Sequence, residues 1–247
     1  MMQDKPIGVF DSGVGGLTVV SEILKQLPGE QVVYFGDVGR TPYGPRSKDI
    51  IIQFTRQDVA FLREQDVKFI ICACNSATAA ALETVAGEND IDMLGVIEPG
   101  ARAGAATTRN GKVGIIGTQA TVASNAYAKA IHHIDEKIKV FSLACPLFVP
   151  LAEEGYLDRE ATYLIAGDYL KGLKENDIDT LVLGCTHYPL MKQTIQDVIG
   201  DDVTLIDSAT ATTREVKKYL EEHGLKNRDG KATDHKFFVS DVPDKFA

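Results

Sequence analysis

PIGVFDSG at residues 6–13 is a short, continuous run of apolar residues that ends in a polar turn. A related stretch, KVGIIGTQ, follows at residues 112–119 and places Thr118 where the first stretch has Ser12. Apolar runs without alternation are typical of strands that are buried on both faces of a parallel sheet. The two stretches therefore predict equivalent strands in two similar halves of the chain.

Further apolar runs and the helical segments between them extend this pattern along the chain. Alternation of buried strands with helices predicts an α/β fold made of two similar, doubly wound parallel-sheet lobes. FIICACNS in the first half is echoed by LVLGCTHY in the second, which places Cys74 against Cys185. The predicted strands are 6–11, 31–37, 67–74, 92–96, 112–117, 138–143, 179–185 and 203–207, and the predicted helices include 47–65, 75–87 and 158–175, the last with Asp158 as its N-cap.

The order of these segments predicts how the chain is divided between the lobes. We expect residues 1–97 plus 207–247 to form the first lobe and 98–206 to form the second, with crossings near GVIEPG and LIDSAT. The tail is expected to pack back on the first lobe, with HKFFVS as a late strand. Because ligands of such sheets bind at the carboxyl ends of the strands, we expect the active site in the cleft between the lobes.

Composition and charge exclude several classes of function. The 247 residues are 44% hydrophobic, which suits a packed core. The formal net charge is −9, so the basic surplus that a nucleic-acid partner requires is missing. No apolar stretch approaches the roughly 18 residues of a membrane span, and the amino end has no signal-peptide pattern. Because four cysteines are too few for a secreted disulfide framework, we expect a cytoplasmic protein with reduced thiols.

Two glycine-containing turns follow predicted strands. DSGVGG at 11–16 fits neither a P-loop nor a dinucleotide fingerprint, which leaves a small-anion site and a tight turn as alternatives. Asp11 adds an acceptor that suits an ammonium group. TPYGPR at 41–46 is a stiff turn, and it is either a rigid surface loop or a wall of the cleft.

Two thiols stand at matching ends of the duplicated strands. Cys74 opens a predicted helix within CACNSAT (72–78), where the helix dipole can lower the pKa of a thiol. Cys185 lies within GCTHYPL (184–190), two residues before His187. Two thiols at one cleft could form a disulfide, share a metal, or flank a substrate and exchange protons with it on opposite faces. The remaining cysteines are assigned to packing: Cys72 and Cys145.

Together, DSGVGG, PYG, CNSAT and GCTHYP closely resemble the motifs of the cofactor-independent glutamate racemases of bacteria, within the aspartate/glutamate racemase superfamily. The resemblance covers essentially the whole chain. It implies an isomerase that interconverts L- and D-glutamate without cofactor or metal and supplies D-glutamate for peptidoglycan and cell-wall biogenesis. It also implies a small-molecule substrate and leaves a homodimer open.

The resemblance assigns residues of this chain to the site. The two bases that it implies are Cys74 and Cys185. The groups that would assist the thiols are Asp11 and His187, with Asp37 and Glu153 as weaker candidates. The substrate contacts that it implies are Asp11, Ser12, Tyr43, Gly44, Asn75, Ser76, Thr186 and His187. Ser76 stands where Thr is frequent in this family, and it keeps the hydroxyl.

Three other interpretations stay open on the sequence. A relative acting on aspartate or a hydantoin would share these motifs, since the sequence does not fix the length of the substrate side chain. A metal protein could use a tetrahedral set of Cys72, Cys74, Cys185 and His187. A thiol sensor would form a reversible disulfide between Cys74 and Cys185 and would show no turnover.

Overall fold

The computed structural model describes residues 2–227, 230 and 234–241. Within them the chain forms two parallel sheets that carry helices on their faces. The strands are β1 (Ile7–Asp11), β2 (Val32–Gly36), β3 (Phe69–Cys72), β4 (Met93–Gly95), β5 (Lys112–Gly117), β6 (Lys139–Ala144), β7 (Thr180–Gly184), β8 (Thr204–Asp207) and β9 (Lys236–Val239). The helices are α1 (Leu17–Gln26), α2 (Lys48–Glu64), α3 (Asn75–Ala80), α4 (Leu82–Gly87), α5 (Ile97–Thr107), α6 (Gln119–Ala123), α7 (Ala126–Ile134), α8 (Phe148–Glu153), α9 (Glu160–Glu175), α10 (Lys192–Ile199) and α11 (Ser208–Glu222).

The two sheets have the same topology. The first has the strand order β4-β3-β1-β2-β9, and the second has the order β6-β5-β7-β8. When β5 to β8 are matched in turn with β1 to β4, the two orders coincide, and β9 is an added edge strand. Every paired strand in both sheets is parallel. The predicted α/β fold of two doubly wound lobes is confirmed.

All eight predicted strands are present, each within two residues of its predicted ends. They were predictable because the local signal was strong: five of them are buried along nearly their whole length, so the apolar run spans the element. The late strand HKFFVS is β9, which pairs with β2.

Two helix predictions were wrong in detail. The helix expected over 75–87 is broken at Ala81 (φ −127°), where Gly95 of β4 packs against the side chains on either side of the break. The helix expected from 158 begins at Glu160, because the carbonyl of Arg159, not of Asp158, accepts the first helical N–H groups. Among the described helices, none is long and apolar enough to cross a membrane.

The lobes exchange a helix at each crossing of the chain. Helix α5 follows β4 of the first sheet, yet its Ala101 lies in the core of the second sheet with Ile115. Helix α11 follows β8 of the second sheet, yet its Val216 lies in the core of the first sheet with Val9. Asp207 fixes the second crossing, because its side chain accepts the N–H of Ala209 and caps α11. This exchange holds the carboxyl ends of both sheets against each other.

Candidate active site

A small cavity of about 20 Å³ lies where the carboxyl ends of the two sheets meet. Nine of the ten predicted site residues line it, namely Ser12, Tyr43, Gly44, Cys74, Asn75, Ser76, Cys185, Thr186 and His187. Pro42, Thr118 and Val149 complete the lining. Asp11, the tenth, lies behind Thr186, whose hydroxyl donates to Asp11 Oδ1 at 3.2 Å. The fold therefore brings together residues that are up to 175 positions apart in sequence.

Hydrogen bonds across the cleft hold the lobes together around this cavity. Each joins an element of the first sheet's lobe to one of the second. The bonds are Ser76 Oγ to Thr118 Oγ1 at 2.8 Å, Tyr127 Oη to Asn75 Oδ1 at 2.7 Å, and Ala120 N to Gly44 O at 3.0 Å. Their effect is to close the cleft, so the cavity is bounded by both lobes at once.

The first thiol, Cys74, is the N-cap of α3 and is 4% exposed. Its Sγ accepts the N–H of Ala77 at 3.5 Å and donates to Ser12 Oγ at 3.5 Å. Burial raises the pKa of Cys74 to about 12, the charge of Asp11 adds to the rise, and the two hydrogen bonds oppose it only in part. Cys74 is therefore a protonated thiol at neutral pH. The expectation that the helix dipole lowers this pKa was wrong, because burial outweighs a helix of only six residues.

The second thiol, Cys185, follows β7 directly and has a cationic neighbour. Its Sγ lies 3.8 Å from His187 Nδ1, and His187 Nε2 lies 3.2 Å from Glu153 Oε1. Burial lowers the pKa of His187, but the thiol and Glu153 outweigh burial and raise it to about 10. His187 is therefore an imidazolium at neutral pH, held between a carboxylate and a thiol. Such a cation can pair with a thiolate at Cys185.

Asp11 ends β1 and ties the glycine turn to the second lobe. Its Oδ2 accepts the N–H of Gly13 at 3.0 Å, while Oδ1 accepts from Thr186. Burial raises the pKa of Asp11, and the nearby imidazolium and hydrogen bonds lower it in part. A Cβ on Gly15 would lie 2.4 Å from Thr186 Oγ1, and one on Gly16 would lie 2.5 Å from Asp11 Cβ. DSGVGG is thus a turn whose glycines permit close contact within and between lobes.

The TPYGPR turn is a wall of the cavity, and a buried cluster holds it. The Tyr43 hydroxyl bonds to Asp37 and to Asp58 Oδ2, the latter at 2.9 Å. Arg40 Nε donates to Asp37 at 2.6 Å. Burial and the charge of Asp37 raise the pKa of Asp58 to about 8, so most of Asp58 is protonated at neutral pH. Asp37, a weaker candidate for assisting the thiols, instead holds this turn.

Sequence analysis missed Thr118 and Val149 as lining residues and Tyr127 as a partner of Asn75. The signal for Thr118 existed, because the repeat aligns it with Ser12. Val149 and Tyr127 lie within helices whose patterns show only a buried face. The predicted packing thiols do lie in apolar cores, Cys72 in the first lobe and Cys145 in the second.

The tetrahedral metal set considered from the sequence is not assembled. In the part of the chain that the structure describes, no group of three or more His, Cys, Asp or Glu side chains is arranged to hold a metal ion. All four cysteines are free thiols in the structure. The geometry thus favours a site that works with two separate thiols.

A model of the Asp/Glu/hydantoin racemase family matches residues 8–216 of the chain. The chain belongs to this family, whose members are isomerases. A glutamate racemase of Geobacter metallireducens is 51% identical, over 98% of this chain and 90% of that protein. The similarity to bacterial glutamate racemases that the motifs indicated is thereby confirmed.

Solved structures of relatives have the same architecture along nearly the whole chain. A glutamate racemase isoform from Bacillus anthracis superposes with a TM-score of 0.95 at 43% identity, covering 99% of this chain and 91% of that one. A glutamate racemase from Francisella tularensis, solved in complex with D-glutamate, gives a TM-score of 0.93 at 40% identity with the same coverage.

Proposed function

We propose that the chain interconverts L- and D-glutamate by two-base chemistry at the α-carbon. Family membership and the glutamate racemases among its relatives support this activity. The Francisella relative with bound D-glutamate supports an amino-acid ligand for the shared fold. The observation that carries the mechanism is that Cys74 and Cys185 line one cavity, with the carboxyl group of Asp11 near Cys74 and the imidazolium of His187 beside Cys185.

In the resting enzyme we assign the thiolate to Cys185 and the thiol to Cys74. The thiolate takes the α-proton of one enantiomer, and the electron pair left on the α-carbon is delocalised into the adjacent carboxyl group. Cys74 then gives its proton to the opposite face of that carbon, which forms the other enantiomer. Cys185 ends as a thiol and Cys74 as a thiolate, so the reverse reaction uses the same groups in exchanged roles.

An acidic substrate must be held locally, since a net charge of −9 gives no long-range attraction. We assign its carboxylates to hydroxyl and N–H donors on the cavity wall. We assign its ammonium group to the part of the wall behind which Asp11 lies. Closure of the lobes keeps water from the carbanion-like species and strengthens each of these contacts. The wall donors are Ser12, Asn75, Ser76 and Thr186.

We also propose that the D-glutamate is made in the cytoplasm for peptidoglycan synthesis. The two lobes that close on the substrate are assigned as residues 1–97 plus 207–247, and 98–206. The exchange of α5 and α11 between the sheets supports boundaries at these crossings. Residues 1, 228–229, 231–233 and 242–247 of this assignment lie outside the described residues. Fractionation of cells that express the chain checks its location.

Circular dichroism of L-glutamate incubated with the purified chain tests the activity. The signal should decay to zero as the racemate forms, without added pyridoxal phosphate or metal. L-Aspartate and a chiral hydantoin serve as comparison substrates. If either is turned over faster than glutamate, that compound is the substrate instead. A chain that forms a reversible disulfide between Cys74 and Cys185 without any turnover would be a thiol sensor instead.

A further inference from the structure

Tyr127 lies at the junction of the two lobes, outside the set of residues that the motifs indicate. It belongs to α7 of the second lobe, is 2% exposed, and donates its hydroxyl to Asn75 Oδ1 of the first lobe at 2.7 Å. Two glycines leave room for its ring: a Cβ on Gly184 would lie 3.0 Å from Cε2, and one on Gly100 would lie 3.3 Å from the hydroxyl. The phenol thus sits in a shaped space where the chain crosses between the sheets.

The hydrogen bonds around Tyr127 have a fixed direction. Burial raises the pKa of Tyr127, so the group remains a phenol with one hydrogen to donate. The hydroxyl of Ser208, at the start of α11, opposes this rise only in part. The phenol donates its one hydrogen to Asn75 Oδ1, which can only accept.

This direction decides which end of the Asn75 carboxamide is free. With Oδ1 bonded to Tyr127, the amide nitrogen Nδ2 is the remaining polar end. Asn75 lines the cavity, and its Nδ2 is buried with no hydrogen-bond partner among the described residues. A buried donor without a partner is costly unless a ligand group accepts from it. The natural acceptor in this cavity is a carboxylate of the substrate.

We propose that Tyr127 is a positioning residue that fixes the Asn75 carboxamide so that Nδ2 donates to a substrate carboxylate. Because the Tyr127–Asn75 bond joins the two lobes, closure of the cleft and orientation of the donor occur together. Without the phenol hydroxyl the carboxamide can turn over and present its oxygen to the carboxylate, which repels it. This role rests on the proposed function.

Tyr127→Phe tests the role, since it removes one oxygen and keeps the ring in its space. We expect KM to rise roughly tenfold for both enantiomers, with kcat changed less than about twofold. A purely structural role would lower the melting temperature and the active fraction, and KM would not move. Tyr163→Phe is the matched control, because it removes a phenol bond to Asp197 on the outer surface. It should leave both kinetic constants unchanged.

A double-mutant cycle with Asn75→Ala separates the role from general damage. Asn75→Ala should raise KM by itself, and adding Tyr127→Phe should raise it no further. An unchanged KM in Tyr127→Phe, or an equal rise in the Asn75→Ala background, overturns the role. If Tyr127→Phe does not fold, a crystal structure of the wild-type chain with D-glutamate decides. Asn75 Nδ2 should then lie within hydrogen-bond distance of a substrate carboxylate while Oδ1 accepts from Tyr127, and the opposite orientation of the carboxamide overturns the role. A wild-type chain without turnover rejects the proposed function, whereas an active one with these negative results rejects the positioning role alone.

Discussion

The two halves of the cavity share a topology and differ in charge. Each half places a thiol just beyond the equivalent strand: Cys74 lies two residues after β3 ends, and Cys185 lies one residue after β7 ends. Cys74 has the carboxyl group of Asp11 near it, whereas the repeat places Gly117 where the first half has Asp11. Cys185 has the imidazolium of His187 near it instead. The duplicated strands thus explain where the thiols lie, and the residues around them explain how they differ.

A two-base mechanism needs one protonated and one ionised sulfur at rest, and the different neighbours of the two thiols support the assignment proposed above. Two thiols in identical surroundings would share a single negative charge equally, so neither sulfur would be fixed as the base. Here burial and the carboxyl group of Asp11 keep the proton on Cys74, whereas the imidazolium of His187 lies beside Cys185. The different neighbours therefore distinguish two thiols that the repeated fold places in equivalent positions.

Removal of either sulfur gives the largest expected effect. Cys74→Ala or Cys185→Ala should each lower kcat/KM by about 10³-fold or more, because every turnover uses one thiol as base and the other as acid. The check is the circular-dichroism rate with L-glutamate and then with D-glutamate. Cys145→Ala is the matched control, a buried thiol in the second lobe that should cost about 1 kcal/mol of stability and leave turnover intact. Substantial activity in either variant would remove the two-base mechanism.

Heavy water tests whether the two halves act on opposite faces of the α-carbon. A proton delivered by the second thiol comes from a group that has exchanged with solvent. L-Glutamate should therefore yield D-glutamate that carries deuterium at the α-carbon from the first turnovers, while the remaining L-glutamate gains deuterium much more slowly. Mass spectrometry of the separated enantiomers measures both. Product that keeps the α-hydrogen of the substrate would point to one base.

Neutral replacements of the charged neighbours should affect the two half-reactions separately. His187→Asn removes the cation beside Cys185, and Asp11→Asn removes the carboxyl group that makes Cys74 more basic. We expect each to lower kcat/KM by about 10- to 100-fold. The equilibrium constant of a racemisation is one, so kcat/KM stays equal in both directions for every variant. The difference must be sought in isotope effects.

With α-deuterated glutamate, the isotope effect should rise for the enantiomer whose deprotonation a variant impairs and fall for the other. His187→Asn should raise it for the enantiomer that Cys185 deprotonates, and Asp11→Asn for the one that Cys74 deprotonates. The measurement is kcat/KM for α-protiated and α-deuterated samples of both enantiomers. If the isotope effect rises for the same enantiomer in both variants, His187 and Asp11 do not act on different thiols.

Much of the fold and the positions of the two thiols could be predicted from the sequence, because the sequence signals for both are local. A strand buried on both faces is an apolar run, and the polar residue after it lies at the carboxyl edge of the sheet. The run through Phe10 to Asp11 and the run through Leu183 to Cys185 therefore revealed both the fold and the edge. The repeat supplied the remaining step, since equivalent edges of two lobes can meet at one cleft.

What could not be predicted depends on packing between distant segments. The raised pKa of Asp58 requires α2 to bury that carboxyl group against the TPYGPR turn, and nothing near Asp58 in sequence indicates that neighbour. The elevated pKa of Cys74 depends on how completely the second lobe covers it, whereas the sequence shows only the helix that follows. Tyr127 looks like one more buried aromatic residue of α7 until its hydroxyl is seen to meet Asn75.

The smallest expected effect concerns how the second half keeps its cation. Glu153 helps to raise the pKa of His187 to about 10, so Glu153→Gln should lower that pKa by about one unit. In the wild-type chain His187 is an imidazolium below about pH 10 and neutral above it. Because the variant lowers this pKa, the alkaline limb of the pH profile should move toward neutral pH. Above that limb His187 is neutral and can no longer pair with a thiolate at Cys185.

At pH 7.5 the same variant should lose only about twofold in kcat, because most of His187 is still protonated. The measurement is kcat/KM for both enantiomers from pH 6 to 10.5. Glu154→Gln is the matched control, since it removes the same charge from the next residue, which is exposed at the end of α8. The alkaline limb should stay in place for that control. If both variants shift it equally, the effect is one of overall charge, and Glu153 does not act through His187.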